Sequence, residues 1–139
     1  MTVPFIAAFV CYALVAFFLI IFGAIYLTRP TLMPYHLDAI GRSWADLDAS
    51  MQTLFLALMR VAGTGFLVTA LSMLMLLLIP FRAGEIWASY AIPAVGLVQL
   101  LFTLYVTMYV RKYTPGSPPV GMNILGVGLL ILGFIMSLF

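Results

Sequence analysis

Four long apolar stretches alternate with short polar segments along the chain. They are Val3–Leu27, Leu54–Phe81, Ile86–Val110 and Val120–Phe139. Each is at least as long as the ~20 residues with which an α-helix crosses the hydrocarbon core of a bilayer. Because lipid offers no hydrogen-bond partner to the backbone, each stretch is expected to be helical. The pattern predicts an all-α polytopic membrane protein, a four-transmembrane-helix bundle formed by residues 1–139 as a single domain.

The polar connections decide how these helices are arranged. The segment Arg82–Glu85 is so short that the second and third helices must be antiparallel neighbours, and the segment Arg111–Pro119 returns the fourth helix beside the third. An up-down-up-down topology follows. We expect helices at about residues 3–27, 44–80, 86–110 and 120–139, with a structured loop at 28–43.

The first connection contains two local signals. Tyr35–Ile40 followed by Gly41 is typical of a single helical turn ended by glycine. Ser43 and Asp46 then match a capping box, which indicates a helix start near Trp44. We therefore expect the second helix to begin about ten residues before its apolar stretch and to project from the bilayer or bend at its surface.

Composition narrows the class of protein. Hydrophobic residues make up 65% of the 139 residues and charged residues 7%, which excludes a water-soluble globular domain. A net charge of +2 spread over short loops provides no basic surface for nucleic acid. Cys11 is the single cysteine, so neither an intrachain disulfide nor a cysteine metal cluster is expected. The first apolar stretch is longer than the apolar region of a signal peptide and is expected to be retained as a span.

The basic residues predict the orientation in the membrane. The first and third connections carry Arg29, Arg42, Arg111 and Lys112, whereas the second carries only Arg82. Because Lys and Arg are enriched in cytoplasmic loops, loops 28–53 and 111–119 are predicted to be cytoplasmic and both chain ends to lie outside.

Arg60 is the one charged residue inside an apolar stretch. Its position, roughly 10 Å from the start of that stretch, costs at least ~2.5 kcal/mol unless the guanidinium is paired or reaches water. Gln99 and Thr103 are expected at the same level, and Asn123 slightly nearer the surface. This placement predicts a ligand-binding polar pocket lined by Arg60, Gln99, Thr103 and Asn123. In the alternative, Arg60 extends to the headgroups, while Gln99 and Asn123 make interhelical hydrogen bonds.

The first connection carries the other candidate residues. Tyr35, His36, Asp38 and Trp44 lie at the bilayer edge and are candidates for interaction with a partner or ligand. His36 is the only histidine, so a metal site, which needs three or four converging ligands, is not predicted. No catalytic triad, phosphate-binding glycine loop or pair of intramembrane carboxylates occurs, and no catalytic residue is assigned.

Two features concern helix packing. Pro93 removes one hydrogen bond from the Ser89 carbonyl and is expected to kink the third helix. Small residues at helical spacing are expected to let helices approach closely, and they are Gly126, Gly133 and Ser137 on the fourth helix and Ala62, Gly65, Thr69 and Ser72 on the second.

The opening helix ends with Phe22-Gly23-Ala24-Ile25-Tyr26-Leu27 followed by Arg29-Pro30, and the second helix carries Arg60-Val61-Ala62-Gly63-Thr64-Gly65. These two motifs resemble the DoxX-like superfamily of small four-helix bacterial membrane proteins, although the connection Tyr35–Asp48 is longer than in compact members. The resemblance implies a multi-pass protein of the bacterial inner membrane. The resemblance also implies a link to quinone-dependent oxidation of sulfur compounds or thiols, to which some members of that family are attached.

Together these features favour a non-enzymatic integral membrane protein that binds a partner protein or an amphipathic, anionic small molecule around Arg60. Two other classes stay open: a subunit of a quinone-linked membrane redox system, and a small-solute transporter acting as an oligomer. No cofactor is predicted, and a quinone is the one that the redox class would use. The expected partners are the lipid bilayer and a membrane protein or a second copy of the chain, and not nucleic acid.

Overall fold

The computed structural model describes residues 2–139 and consists of helices joined by short segments. The helices are α1 (Val3–Thr28), α2 (Pro34–Ile40), α3 (Ala49–Leu76), α4 (Ile86–Tyr113) and α5 (Val120–Ser137). A 3₁₀ turn covers Trp44–Asp46, and a π-helical segment, Leu77–Phe81, continues α3. Four helices of the described chain are long and apolar enough to span a membrane, namely α1, α3 with its continuation, α4 and α5. The prediction of an all-α integral membrane protein is confirmed.

The four long helices form a bundle in which neighbours along the chain pack together. α1 packs against α3 and α5, and α4 packs against the same two helices, so the order around the bundle is α1, α3, α4, α5. Phe5 at the start of α1 stacks on Phe81 at the end of the π-helical segment, while Gly23 near the end of α1 faces Gly63 in α3. These contacts make α1 and α3 antiparallel. We call the side with residues 29–48 and 114–119 the loop side, and the opposite side the terminal side.

The half of the bundle nearer the terminal side is tightly packed. The largest fully buried side chains come from all four long helices, including the π-helical continuation of α3, and they are Tyr12, Val15, Met73, Leu77, Ile92 and Leu130. Leu130 of α5 packs onto Gly96 of α4, where a Cβ would come within 2.7 Å of the leucine side chain. Close contacts of this kind give these helices their packing energy in lipid, where water supplies no hydrophobic driving force between helices.

Tyr12 also satisfies a carbonyl that a proline leaves free. Pro93 lies inside α4 and has no N–H to donate to the carbonyl oxygen of Ser89, four residues earlier. The Tyr12 hydroxyl of α1 donates to that oxygen at 3.5 Å, and the tyrosine is completely buried. A hydroxyl of α1 thereby supplies the hydrogen bond that the Ser89 carbonyl of α4 lacks within its own helix. α4 continues through Pro93 to Tyr113.

The closest approach of α1 and α3 lies nearer the loop side. A Cβ added to Gly63 would lie 2.8 Å from the Tyr26 Cβ and 3.0 Å from the Gly23 carbonyl oxygen. A Cβ added to Gly23 would lie 2.7 Å from the Leu67 side chain and 3.0 Å from the Gly63 carbonyl oxygen. Both positions require glycine because the opposing atoms include backbone, which has little room to shift.

The first connection forms the predicted single helical turn but not the predicted helix start near Trp44. α2 ends at Gly41, which adopts the left-handed conformation at φ 64°, as the sequence indicated. The capping box is also present, with the Asp46 carboxylate accepting a hydrogen bond from the Ser43 backbone N–H at 3.3 Å. The Ser43 hydroxyl donates to the same carboxylate at 2.7 Å, and the two hydrogen bonds lower the pKa of Asp46. The box caps only a 3₁₀ turn, because Leu47 returns to an extended backbone.

α3 begins five residues later than predicted, with Asp48 as its N-cap. The Asp48 carboxylate accepts a hydrogen bond from the Met51 backbone N–H at 2.9 Å. The extended conformation at Leu47 turns that side chain inward, where it forms a small buried cluster with Leu32 and Met59. Burial of Leu47 under the first connection therefore competes with continuation of the helix, and the sequence pattern alone does not show this contact.

The long helices end at different levels on the loop side. From the Gly23–Gly63 contact, α1 continues for five residues and α3 for fourteen, so α3 projects about 13 Å beyond α1 at 1.5 Å per residue. From the contact between Leu100 and Gly126, α4 projects about 10 Å beyond α5 by the same measure. α2 and the segment 114–119 occupy the space above the two shorter helices, where Gly116 packs against the backbone of Tyr35.

Candidate functional site

A groove opens between α3 and α4 on the loop side, and α2 covers part of it. Its volume is about 620 Å³, within the ~300–1,000 Å³ typical of small-molecule sites. The walls are mainly apolar and include three phenylalanines, Phe55 and Phe66 of α3 and Phe102 of α4. Tyr35 and His36 of α2 and Tyr26 of α1 also line the groove. The projecting ends of α3 and α4 thus form a site that the shorter α1 and α5 do not extend to cover.

One face of α4 carries an uncharged polar column formed by Gln99, Thr103 and Thr107, four residues apart. The Gln99 Nε2 donates to the Thr103 hydroxyl at 3.1 Å, and the Gln99 Oε1 accepts from the Thr69 hydroxyl of α3 at 3.2 Å. At the other end, the Asn123 Nδ2 of α5 donates to the Thr107 hydroxyl at 3.4 Å. The polar column therefore links α4 to both of its neighbours.

A smaller cavity lies behind the polar column, between α1, α4 and α5. Its volume is about 60 Å³, and a water molecule needs ~10–15 Å³ by this measure, so the cavity has room for water. Asn123 lines this inner cavity. Five residues line both spaces, and they are Tyr26, Tyr35, Phe66, Thr103 and Thr107. The groove and the inner cavity are thus separated by a single layer of side chains.

The part of the groove near α2 is formed by three aromatic rings. The hydroxyls of Tyr26 and Tyr35 share a hydrogen bond, and the His36 ring lies edge-on to both tyrosines, at 6.0 and 4.5 Å between ring centroids. The Nδ1 atom of His36 is buried and has no hydrogen-bond partner. Burial lowers the pKa of His36 and raises the pKa of Tyr35, so both side chains are uncharged at neutral pH.

The groove therefore has no charged wall at neutral pH. Among residues 2–139, those that line it include no Asp, Glu, Lys or Arg. In the same part of the chain, no group of three or more His, Cys, Asp and Glu side chains is placed to hold a metal ion. What the groove offers a ligand is apolar surface and hydrogen bonds from amide, hydroxyl and imidazole groups.

The structure does not bring Arg60 together with Gln99, Thr103 and Asn123. Arg60 is exposed on the outer face of α3 and lines neither the groove nor the inner cavity. It lies one helical turn from Gly63 toward the loop side, at the level of the last turn of α1. An outward-facing side chain is what extension to the headgroups requires. That extension and a ligand contact by Arg60 both stay predictions.

The other residues predicted to form the site also lie in different parts of the structure. Gln99 and Thr103 line the groove, and Asn123 with Thr103 lines the inner cavity. Of the four loop candidates, Tyr35 and His36 line the groove, Asp38 is exposed, and Trp44 is partly buried against the Leu32, Leu47 and Met59 cluster. The Gln99–Thr69 hydrogen bond is of the interhelical kind that the sequence allowed. Binding by these residues stays a prediction.

Two polar members of the site were not identified from the sequence. Thr107 continues the spacing of Gln99 and Thr103 by one more turn, so the same periodicity would have found it. Tyr26 could not be identified, because nothing in the sequence shows that its hydroxyl meets Tyr35 across the first connection.

Comparison of the chain with protein-family models, curated proteins and solved structures finds no match. The resemblance to the DoxX-like superfamily therefore stays a prediction. What the structure itself supports is a small integral membrane protein with four membrane-spanning helices and a groove on its loop side.

Proposed function

We propose that this protein binds a neutral amphipathic small molecule in the groove between α3 and α4. The observation that carries the proposal is the combination of apolar walls with the uncharged polar column on one helix face. Pockets of this size that bind small molecules are generally apolar, with a few polar groups that fix the orientation of the ligand. The proposal keeps the sequence-based expectation of an amphipathic ligand but moves its site away from Arg60.

The head of the ligand would bond to Gln99. The Gln99 side chain is held at both ends, with Oε1 accepting from Thr69 and one Nε2 hydrogen donated to Thr103. The amide has a second Nε2 hydrogen, which is available to an acceptor oxygen in the groove. Because the existing hydrogen bonds already orient the amide, little side-chain entropy is lost when a carbonyl or hydroxyl oxygen binds.

The lack of charge in the walls favours a neutral head over an anionic one. A carboxylate or phosphate transferred to this groove would lose hydration without gaining a cationic partner, because no Lys or Arg of the described chain lines it. An uncharged carbonyl or hydroxyl loses less hydration and is compensated by one or two hydrogen bonds. The apolar part of the ligand would contact the phenylalanine side chains at the α3–α4 opening.

A quinone belongs to this chemical class, since it combines carbonyl acceptors with an apolar chain. The redox alternative raised by the sequence is therefore a question of which neutral amphiphile occupies the groove. Binding of a quinone would not by itself make the protein a subunit of a redox system.

Native mass spectrometry of the purified protein tests the proposal. Ala62 of α3 lines the groove, so Ala62→Phe should fill part of it, whereas Ala94→Phe places the same ring on an exposed position of α4 outside the groove. We expect the wild-type protein and Ala94→Phe to retain a bound molecule after release from detergent, and Ala62→Phe to lose it. Solvent extraction and liquid chromatography with mass spectrometry then identify the molecule and show whether it is a quinone.

Equal occupancy in the two phenylalanine variants would overturn the proposal, as would the absence of any bound molecule from the wild-type protein. A bound molecule that carries a net negative charge and is lost in Arg60→Ala would instead support the anionic site predicted from the sequence.

A further inference from the structure

The single histidine of the chain is packed in a position that suits only its neutral form. His36 of α2 lines the groove, with its ring edge-on to Tyr26 of α1 and to its neighbour Tyr35. Its Nδ1 atom is buried and has no hydrogen-bond partner. In an imidazolium both ring nitrogens carry a proton, so a charged His36 would have a buried Nδ1–H with no acceptor for its hydrogen bond.

The helix that carries His36 is held to the bundle by partly buried side chains, among them Tyr35, which hydrogen-bonds to Tyr26. None of the seven residues of α2 is buried. The helix is bounded by Pro34 at its start and by Gly41 at its end, where a left-handed residue with open space around it permits a change of chain direction. Elements with few buried contacts are those that open locally at low free-energy cost.

We propose that α2 is a pH-responsive lid on the groove, closed when His36 is neutral and opened when His36 takes up a proton. The lid is a property of the chain itself and does not depend on what the groove binds. Because Tyr35 belongs to α2, opening would separate it from Tyr26 and remove part of the layer between the groove and the inner cavity.

The groups around His36 provide no counter-charge for an imidazolium. From α1 they are Tyr26 and, beyond the end of the helix, Arg29, whose positive charge acts on Tyr35. α2 itself contributes Tyr35 and the exposed Asp38. The residues of α3, of α4 and of segment 114–119 that line the groove are not titratable. Of the two charged groups, Arg29 has the same sign as a protonated His36, and the Asp38 side chain is exposed rather than buried beside the ring.

The direction of the pH effect follows from burial. In the closed state burial lowers the pKa of His36, whereas an opened α2 exposes the ring and returns its pKa to the ordinary ~6.5. Above both pKa values the proton has no influence. Between them the open state binds more protons, and the closed-to-open ratio falls by up to about tenfold per pH unit as pH drops. Below the lowered pKa the ratio stops changing.

A distance measurement between spin labels tests the lid. Labels at Asp38→Cys on α2 and Met108→Cys on α4, both exposed positions, are combined with Cys11→Ala to remove the native thiol. The Asp38 substitution also removes the carboxylate closest to His36 in sequence, so acid titration of that group contributes nothing. Pulsed electron paramagnetic resonance is recorded on this protein and on the same protein with His36→Gln, from about pH 7.5 to about pH 5.

We expect the labelled protein to gain a longer-distance population as pH falls, severalfold or more over this range, and the His36→Gln protein to keep its neutral-pH distribution throughout. A third protein with His36→Arg, which stays charged, should show the longer distance at every pH. An unchanged distribution in the labelled protein, or an equal response in His36→Gln, would overturn the proposal. If the arginine variant does not fold, the difference in pH response between the labelled protein and its His36→Gln variant still tests the proposal.

Discussion

The terminal-side half and the loop-side half of the bundle are built from the same helices but differ in how tightly they are packed. On the terminal side, side chains such as Tyr12, Leu77 and Ile92 are fully buried, and the Ser89 carbonyl, which receives no hydrogen bond from Pro93, accepts one from the Tyr12 hydroxyl. On the loop side, α3 and α4 run past their neighbours and leave a groove of about 620 Å³ between them. The first half has the packing of a structural core, and the second has the shape and polarity of a binding site.

The difference shows where polar groups can be placed in a bundle of this size. In the terminal half the Tyr12 hydroxyl is used for one interhelical hydrogen bond. In the loop half, hydroxyl and amide groups form a column along α4 that faces open space on both sides. Stability should therefore depend mainly on the terminal half, and ligand binding on the loop half.

The largest effect is expected from a cavity in the terminal half. Leu130→Ala removes a fully buried side chain that packs onto Gly96, and should lower the free energy of unfolding by about 2–4 kcal/mol. Leu132→Ala, on the same helix at an exposed position, is the matched control and should have a much smaller effect. Equilibrium unfolding in mixed micelles measures both, and equal losses would contradict a packed core at Leu130.

A smaller loss is expected where α1 meets α3. Gly63→Ala puts a Cβ 3.0 Å from the Gly23 carbonyl oxygen and should destabilise the bundle by about 1–3 kcal/mol. Gly128→Ala adds the same methyl group to α5 where nothing lies within 4 Å, and should be neutral or slightly stabilising because alanine favours the helix. The same unfolding assay compares them, and a stable Gly63→Ala protein would show that the two helices are not in contact there.

The Tyr12 hydroxyl should contribute less than either packing contact. Tyr12→Phe leaves the Ser89 carbonyl without a donor and is expected to cost about 1 kcal/mol. In a Pro93→Ala background the helix restores its own N–H donor to Ser89, so the same substitution should cost markedly less. A double-mutant cycle measures this coupling. Equal costs in the two backgrounds would show that the tyrosine and the proline act independently.

The long elements of the fold could be predicted because each rests on a local pattern. The apolar stretches must be helical because lipid gives the backbone no other hydrogen-bond partner. The short Arg82–Glu85 connection forces its two helices to be antiparallel, and the glycine after Ile40 permits the left-handed conformation that ends α2. The start of α3 could not be predicted in this way, because burial of Leu47 against Leu32 and Met59 decides where the helix begins.

The candidate site could be predicted only in part for the same reason. Gln99 and Thr103 share a helix face, and their spacing on α4 identifies the polar column. The position of Arg60 depends on how far α1 extends beside α3, and that stagger is set by the contact of Gly23 with Gly63. Arg60 lies roughly 10 Å from the start of its own apolar stretch, but at the level of the last turn of α1.

The smallest effect on stability is expected from the polar column. Thr103→Val removes the hydroxyl that accepts from Gln99 and should change the free energy of unfolding by only about 0.6 kcal/mol. Thr64→Val is the matched control, since its hydroxyl bonds only to the Arg60 carbonyl on an exposed face. Ligand occupancy in native mass spectra should fall in Thr103→Val but not in Thr64→Val. Equal ligand occupancy in the two variants would show that the polar column does not contribute to binding.

The preference of the groove for an uncharged amphiphile can be measured by comparing the affinities of two probes that share the same hydrocarbon chain. Monoolein and oleate, titrated into the delipidated protein at a pH where oleate is ionised, differ mainly in the charge of the head. We expect monoolein to bind at least about tenfold more tightly, a difference of about 1.4 kcal/mol, and Arg60→Ala to leave its affinity unchanged. Tighter binding of oleate that is lost in Arg60→Ala would show that the site prefers an anion held by Arg60.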